Sequence, residues 1–124
     1  MTQAQGKSIV HERVFENRFS YVEELKKLGA KIKFIEKNVP NPEKFYYFNY
    51  KKNKNYPQII EIDSPVKLHG GVLNIADLRA GACLAVAALV ANGESIVNGV
   101  SILERGYEDF VEKVTKLGGE IRKI

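Results

Sequence analysis

The stretch Asn74–Ile124, NIADLRAGACLAVAALVANGESIVNGVSILERGYEDFVEKVTKLGGEIRKI, decides the fold. Asp77–Asn92 is expected to be a helix. Asp77 stands where an acidic residue either caps the N-terminus or meets the positive end of the helix dipole. The later turns, CLAVAALVA, are apolar on every side, which predicts a helix buried on most faces, with alanines allowing close packing. Gly93 is placed to end it. Ser95–Val97 reads as a strand and Asn98–Arg105 as a further strand or loop. Tyr107–Leu117 reads as a helix whose Phe110, Val111, Val114 and Leu117 form an apolar stripe. Gly118 and Gly119 stop that helix, and Glu120–Ile124 reads as a closing strand.

Upstream, Ser8–Val10 reads as a short strand and the charged HERVFENR, His11–Arg18, as a loop. Phe19, Val22, Leu25 and Leu28 recur at helical spacing, with Gly29 as a left-handed stop. Lys31–Glu36 alternates as a strand until Ile35. Asn38–Pro42 reads as a turn. Phe45–Tyr50, FYYFNY, and Gln58–Ile62 read as the two arms of an extended hairpin over residues 37–63, with KKNKN at its tip. Ser64–Gly71 reads as a connecting loop. The mixture is an α/β (α+β) chain.

Two parts of this pattern repeat. Tyr21–Ile35, YVEELKKLGAKIKFI, aligns without a gap on Phe110–Ile124, FVEKVTKLGGEIRKI. The identities are Val22/Val111, Glu23/Glu112, Lys27/Lys116, Leu28/Leu117, Gly29/Gly118, Ile32/Ile121 and Ile35/Ile124. Further upstream, GKSIV from Gly6 matches GESIV from Gly93. The repeated unit, residues 6–35 and 93–124, is glycine, strand, charged loop, helix, glycine, strand. The second copy follows an apolar helix and the first does not, so the first unit is trimmed or the chain was cut from something longer.

Composition narrows the class. With 44% hydrophobic and 27% charged residues the 124-residue chain is globular, with material for one ordinary domain. The net charge of +4 suits an anionic ligand. Lys51, Lys52 and Lys54 beside Tyr46, Tyr47, Tyr50 and Tyr56 could form a basic-aromatic nucleic-acid patch. A solvated hairpin tip is the simpler reading, and no nucleic-acid partner is expected. The single cysteine excludes an intrachain disulfide and fits a reducing cytoplasm. The opening MTQAQGKSIV has no apolar signal-peptide region. The longest apolar run is Ala80–Ala91, well short of the ~20 residues a bilayer requires, so no membrane partner is expected.

DLRAGA opening an Ala-rich helix, then ERGYE, then a helix ending KLGG, resembles the C-terminal end of the enolpyruvyl transferases. VFENRF followed by VEELKKLGA resembles the branch that acts on UDP-N-acetylglucosamine at the entry to peptidoglycan synthesis. The sister enzymes of the shikimate pathway do not usually carry VFENRF there. The resemblance covers Gly6–Ile35 and Ser64–Ile124. It implies an inside-out α/β barrel of βαβαββ units, with helices buried and sheets outward, of which residues 1–124 form one C-terminal fragment. It implies helix N-termini facing a cleft that receives phosphoenolpyruvate and the diphosphate of UDP-N-acetylglucosamine. It implies no metal or organic cofactor.

Carried over motif by motif, Arg105 is similar to an arginine that contacts phosphoenolpyruvate, and Asp77 and Arg79 to cleft residues. Arg105 and Asp77 are therefore the catalytic candidates. Val14, Phe15 and Arg79 are the substrate-binding candidates, the first two toward uridine, with Arg18 ordering their loop. Simpler roles compete: an ion pair of Arg105 with Glu104 or Glu108, a pure cap for Asp77, a structural contact for Arg79, a core position for Val14 and Phe15. Cys83, mid-helix among apolar neighbours, reads as a small hydrophobe and not as the family's loop cysteine. His11 and His69 lack metal-ligand spacing. The chain is far shorter than a family member and lacks the segments that carry the general acid and base. A scaffold that keeps the fold without the chemistry, as an interaction module, and a fragment of a shikimate-pathway synthase are the competing readings.

Overall fold

The computed structural model describes residues 1–124. In chain order its elements are β1 (Gly6–His11), α1 (Tyr21–Lys27), β2 (Lys31–Phe34), α2 (Pro42–Phe45), β3 (Ile59–Ser64), β4 (Val72–Asn74), α3 (Leu78–Val90), β5 (Ile96–Asn98), α4 (Val100–Glu104) and α5 (Phe110–Lys116). The mixed α/β content agrees with the expected class. They form two compact units, one of residues 1–20 and 30–66, the other of 21–29 and 67–124. No helix is long and apolar enough to cross a membrane.

The first unit is built on β3, which pairs antiparallel with β1 on one edge and β2 on the other. Period-two alternation sorts its side chains. Ile60 and Ile62 are buried, with Val10, Ser8, Phe34 and Ile32 opposite them in register. Glu61 and Asp63 point the other way, among Lys7, Lys31 and Lys33. Glu61 reaches Lys7 at 3.2 Å and Lys33 at 3.0 Å, tying both outer strands to the central one.

Because β1 and β2 fill both edges of β3, Phe45–Tyr50 cannot pair with Gln58–Ile62 as the second arm of a hairpin. It is not the expected strand. Pro42, favoured in a first helical turn, starts the short helix α2 where a plain turn was expected. The aromatic residues beyond it pack on one another. Tyr46 and Tyr50 stack at 5.7 Å, and Phe48 and Tyr50 lie 5.0 and 5.2 Å from Tyr56.

In the second unit α1 and α3 pack together, and β4 pairs in parallel with β5. Strand β4 went unread in the sequence. The expected helix over Asp77–Asn92 is present as α3, but its burial is one-sided. Ala80, Gly81, Leu84, Ala85 and Ala87 are buried, whereas Val86 and Val90 are 56% and 52% exposed. Within Asn98–Arg105, read as a further strand or loop, Asn98 ends β5 and Val100–Glu104 is the helix α4. Gly99, at φ 88°, turns the chain out of β5 into α4, and Leu103 enters a core with Ile75 and Ala85. Glu120–Ile124 is not a strand; it pairs with no strand edge, and Ile124 is almost fully exposed. The glycines matched in the two sequence copies share one backbone state: φ is 91° and 94° at Gly6 and Gly93, and 89° and 90° at Gly29 and Gly118.

Candidate functional site

In the second unit the DLRAGA and ERGYE motifs meet. Asp77 is extended (φ −147°, ψ 165°) and caps α3, its Oδ1 accepting from Arg79 N at 3.1 Å and Ala80 N at 3.0 Å. The carboxylate thus satisfies backbone donors that a helix start otherwise offers to an anion. In the same unit α4 ends over Leu103, whose carbonyl accepts from Gly106 N at 3.2 Å and Tyr107 N at 3.0 Å. With Leu103 fixed in the core, Arg105 is carried outward at the helix end.

Gly106 joins the two motifs. A Cβ at this position would lie 2.3 Å from Leu78 Cδ2 and 3.2 Å from Leu78 Cγ, Leu78 being the first residue of α3. The ERGYE loop therefore lies directly on the start of α3, between Asp77 and Arg79. The expected alternative of an Arg105 ion pair is not seen. Glu104 pairs instead with Lys123 at 2.8 Å, and Arg105 and Arg79 are both exposed, their guanidinium groups in no hydrogen bond or ion pair. Two unengaged guanidinium groups and a capped helix start thus come from adjoining backbone. Such groups can hold carboxylate or phosphate oxygens in bidentate fashion.

The recess of about 510 Å³ beside this loop is not that site. Glu104, Glu108, Asp109 and Glu112 line it, and this charge repels a phosphate. Cys83 is half-buried on α3 and burial pushes its thiol pKa up, the state of an unreactive thiol. No three acidic, His or Cys side chains gather as a metal site.

In the first unit Val14 and Phe15 are about half exposed, 49% and 51%, so neither is a core residue. Their backbone is held on two sides. Glu12 Oε1 accepts from Val14 N at 2.6 Å and Phe15 N at 3.2 Å. Gln58 Nε2 donates to the carbonyls of Glu12 at 2.9 Å and Phe15 at 2.8 Å. The Arg18 guanidinium lies 4.4 Å over the Phe15 ring, so Arg18 does order the loop, through a cation–π contact.

At the loop's base, Arg13 sits 4.0 Å over Phe45 and donates to the Phe45 carbonyl at 3.0 and 3.2 Å. Tyr47 N donates to the Arg13 carbonyl at 2.8 Å, and His11 Nε2 lies 3.1 Å from Tyr46 Oη. The aromatic segment braces the loop, with Phe45, Tyr46, Phe48 and Tyr50 partly buried and Tyr47 exposed, while Lys52 reaches only Glu43 at 3.4 Å. Sequence reasoning missed Glu12, Arg13 and Gln58. The only local signal was polar residues flanking the exposed Val14–Phe15 pair.

The profile of the family described as EPSP synthase (3-phosphoshikimate 1-carboxyvinyltransferase) matches residues 1–114. The chain is 40% identical over its whole length to UDP-N-acetylglucosamine 1-carboxyvinyltransferase of Halothermothrix orenii, covering 25% of that protein. It is likewise 40% identical over its whole length to the enzyme of the same name from Finegoldia magna, covering 24% of it. Among solved structures it is similar to the enolpyruvyl transferase NikO from Streptomyces tendae. That match has a TM-score of 0.73 and 31% identity, over 98% of this chain and 23% of the other. The chain spans about a quarter of the length of the curated relatives it matches.

Proposed function

The chain belongs to the EPSP synthase family, and on that premise we propose that it is the C-terminal part, residues 1–124, of a UDP-N-acetylglucosamine 1-carboxyvinyltransferase. In this reading the whole enzyme works in peptidoglycan synthesis in the cytoplasm, and this part lies in an inside-out barrel of βαβαββ units. The sugar 3-hydroxyl gives up its proton as its oxygen bonds to C2 of phosphoenolpyruvate, and C3 takes a proton as the C2–C3 double bond becomes single. The tetrahedral adduct then loses phosphate and a C3 proton, restoring the enol double bond. The resemblance places the groups that move those protons outside these residues.

The observation that carries the reading is the contact of Gly106 with Leu78, which sets the Arg105 loop on the Asp77–Arg79 helix start. Arg105 is the group to grip the carboxylate or phosphate of phosphoenolpyruvate and to offset the charge that builds as C2 becomes tetrahedral. Arg79 adds a second positive charge. Asp77, the second catalytic candidate, caps the helix start from which Arg79 projects. Val14 and Phe15 present an apolar ledge suited to the uracil ring.

A chimera tests this. The matching quarter of the Halothermothrix orenii relative is replaced by this chain, and phosphate release is followed with both substrates present. Turnover is expected to depend on UDP-N-acetylglucosamine. Arg105→Ala is expected to lower kcat/KM for phosphoenolpyruvate by about 10²–10³. A folded chimera in which Arg105→Ala turns over like the parent refutes the assignment. The 124-residue chain alone is expected to release no phosphate.

A further inference from the structure

Gln58 is 2% exposed, immediately before β3, and it is expensive to keep there. Its Oε1 is buried with no hydrogen-bond partner, a defect that costs stability and that an apolar residue of similar size would avoid. Its Nε2 is fully engaged, and both of its bonds go to one place: the Glu12 and Phe15 carbonyls. The Gln58 backbone carbonyl accepts from Glu12 N at 2.8 Å, so residue 58 contacts the loop three times. Glu12 completes the frame by accepting from the Val14 and Phe15 amides. Within this frame the backbone of Phe15 is fixed at its N–H by Glu12 and at its carbonyl by Gln58. The Arg18 guanidinium lies over its half-exposed ring.

We infer that Gln58 is a positioning residue for uridine binding: its side-chain amide holds the Val14–Phe15 loop in the shape that presents those two side chains. The inference rests on the reading, made above, that this loop faces the uridine of UDP-N-acetylglucosamine. Gln58 itself touches no substrate. Two donated hydrogen bonds, both to carbonyls of one loop, require an uncharged amide of this length. Gln58→Leu removes both donors at nearly constant volume. Gln58→Glu puts a carboxylate against two carbonyl oxygens.

The test uses the ¹⁵N-labelled 124-residue chain, read by amide hydrogen exchange and by chemical-shift titration with UDP-N-acetylglucosamine. In Gln58→Leu the Val14 and Phe15 amides are expected to exchange about tenfold faster or more, while Ile60 and Val22 stay within about twofold of wild type. The titration is expected to shift the Val14 and Phe15 signals in the wild-type chain and to shift them less in Gln58→Leu and Gln58→Glu. Unchanged loop exchange in Gln58→Leu overturns the positioning role, as does loosening of loop and core together. If loop exchange rises but wild-type Val14 and Phe15 ignore the ligand, the uridine reading fails and takes the substrate role of Gln58 with it, while its hold on the loop stands.

Discussion

Replacing Gly70 by alanine is expected to be among the most damaging single-methyl additions in this chain. The segment before β4 runs beside the segment before β5. Gly70 N donates to the Asn92 carbonyl at 2.8 Å, Asn92 N to Leu68 at 2.8 Å, and Ile96 N to Gly71 at 2.9 Å. A Cβ on Gly70 would lie 2.1 Å from the Glu94 carbonyl oxygen, 2.9 Å from its carbon and 3.1 Å from its nitrogen. Every clashing atom is backbone, so no side chain can rotate away. Reaching ordinary contact at 3.4 Å requires a shift of about 1.3 Å, within a segment hydrogen-bonded on both sides. Overpacking costs about 1–3 kcal/mol, and breaking one of those hydrogen bonds adds about 0.5–1.5 kcal/mol. The stiffer unfolded chain returns about 0.4–1 kcal/mol. A net loss of about 1–4 kcal/mol follows, a large share of a typical domain stability of about 5–15 kcal/mol. Gly71→Ala is the control. Its Cβ meets Leu28 Cδ2 at 3.1 Å, a side-chain atom able to give by tenths of an ångström. Urea unfolding followed by far-UV circular dichroism reads the difference. With a slope of about 1–3 kcal/mol/M, the Gly70→Ala midpoint falls by about 1 M. A Gly70→Ala midpoint equal to wild type, or one above that of Gly71→Ala, refutes the reasoning.

Asp77→Ala is expected to cost about 1 kcal/mol by urea unfolding, because it removes the cap on Arg79 N and Ala80 N, and Asp77→Ser is expected to recover most of it. His11 is held below its ordinary pKa of 6.5, first by burial and then by Lys37 and Arg13. The unfolded chain therefore binds the His11 proton more readily. Its contribution is complete above 6.5 and is lost as pH falls toward the lowered folded value, so His11→Phe should flatten the rise in stability that ends at 6.5. Leu84→Ala, at a position 1% exposed, is expected to cost about 2–5 kcal/mol, whereas Val86→Lys, on the exposed side of the same helix, stays within about 0.5 kcal/mol. Equal losses in the two variants would contradict the one-sided burial of α3.

The helices were readable where a periodic stripe and a stop glycine agreed. Val22, Leu25 and Leu28 before Gly29 fixed α1, and the apolar run before Gly93 fixed α3. The failures share a cause: strand identity depends on a partner that local sequence does not name. Phe45–Tyr50 has strong strand propensity, yet both edges of β3 are taken, so its rings pack on each other. Val72–Asn74 is too short to show alternation and is a strand only because Ile96–Asn98 lies beside it. The site divides the same way. Arg105, Arg79 and Asp77 could be picked out by motif. That Gly106 presses ERGYE onto Leu78, and that Gln58 reaches back to Glu12 and Phe15, are long-range contacts invisible to local pattern.

The exposed side of α3 is where sequence and structure differ most instructively. CLAVAALVA is apolar all round, a composition suited to a helix covered on every face. Its Ala80, Gly81, Leu84, Ala85 and Ala87 side is covered, while Val86, Leu89 and Val90 remain 56%, 37% and 52% exposed. Fully burying a side chain of this size gains about 1.5–3 kcal/mol, so three half-buried ones leave roughly 2–4 kcal/mol unrealised. A surface helix gains nothing from this composition, because lysine or glutamate at those positions would be as helical and more soluble. The pattern makes sense if it was shaped by an environment larger than these residues, and the curated relatives are about four times as long. In the reading proposed above, the remaining face of α3 is covered by parts of the enzyme outside these residues; within them, α3 is buried on one side only.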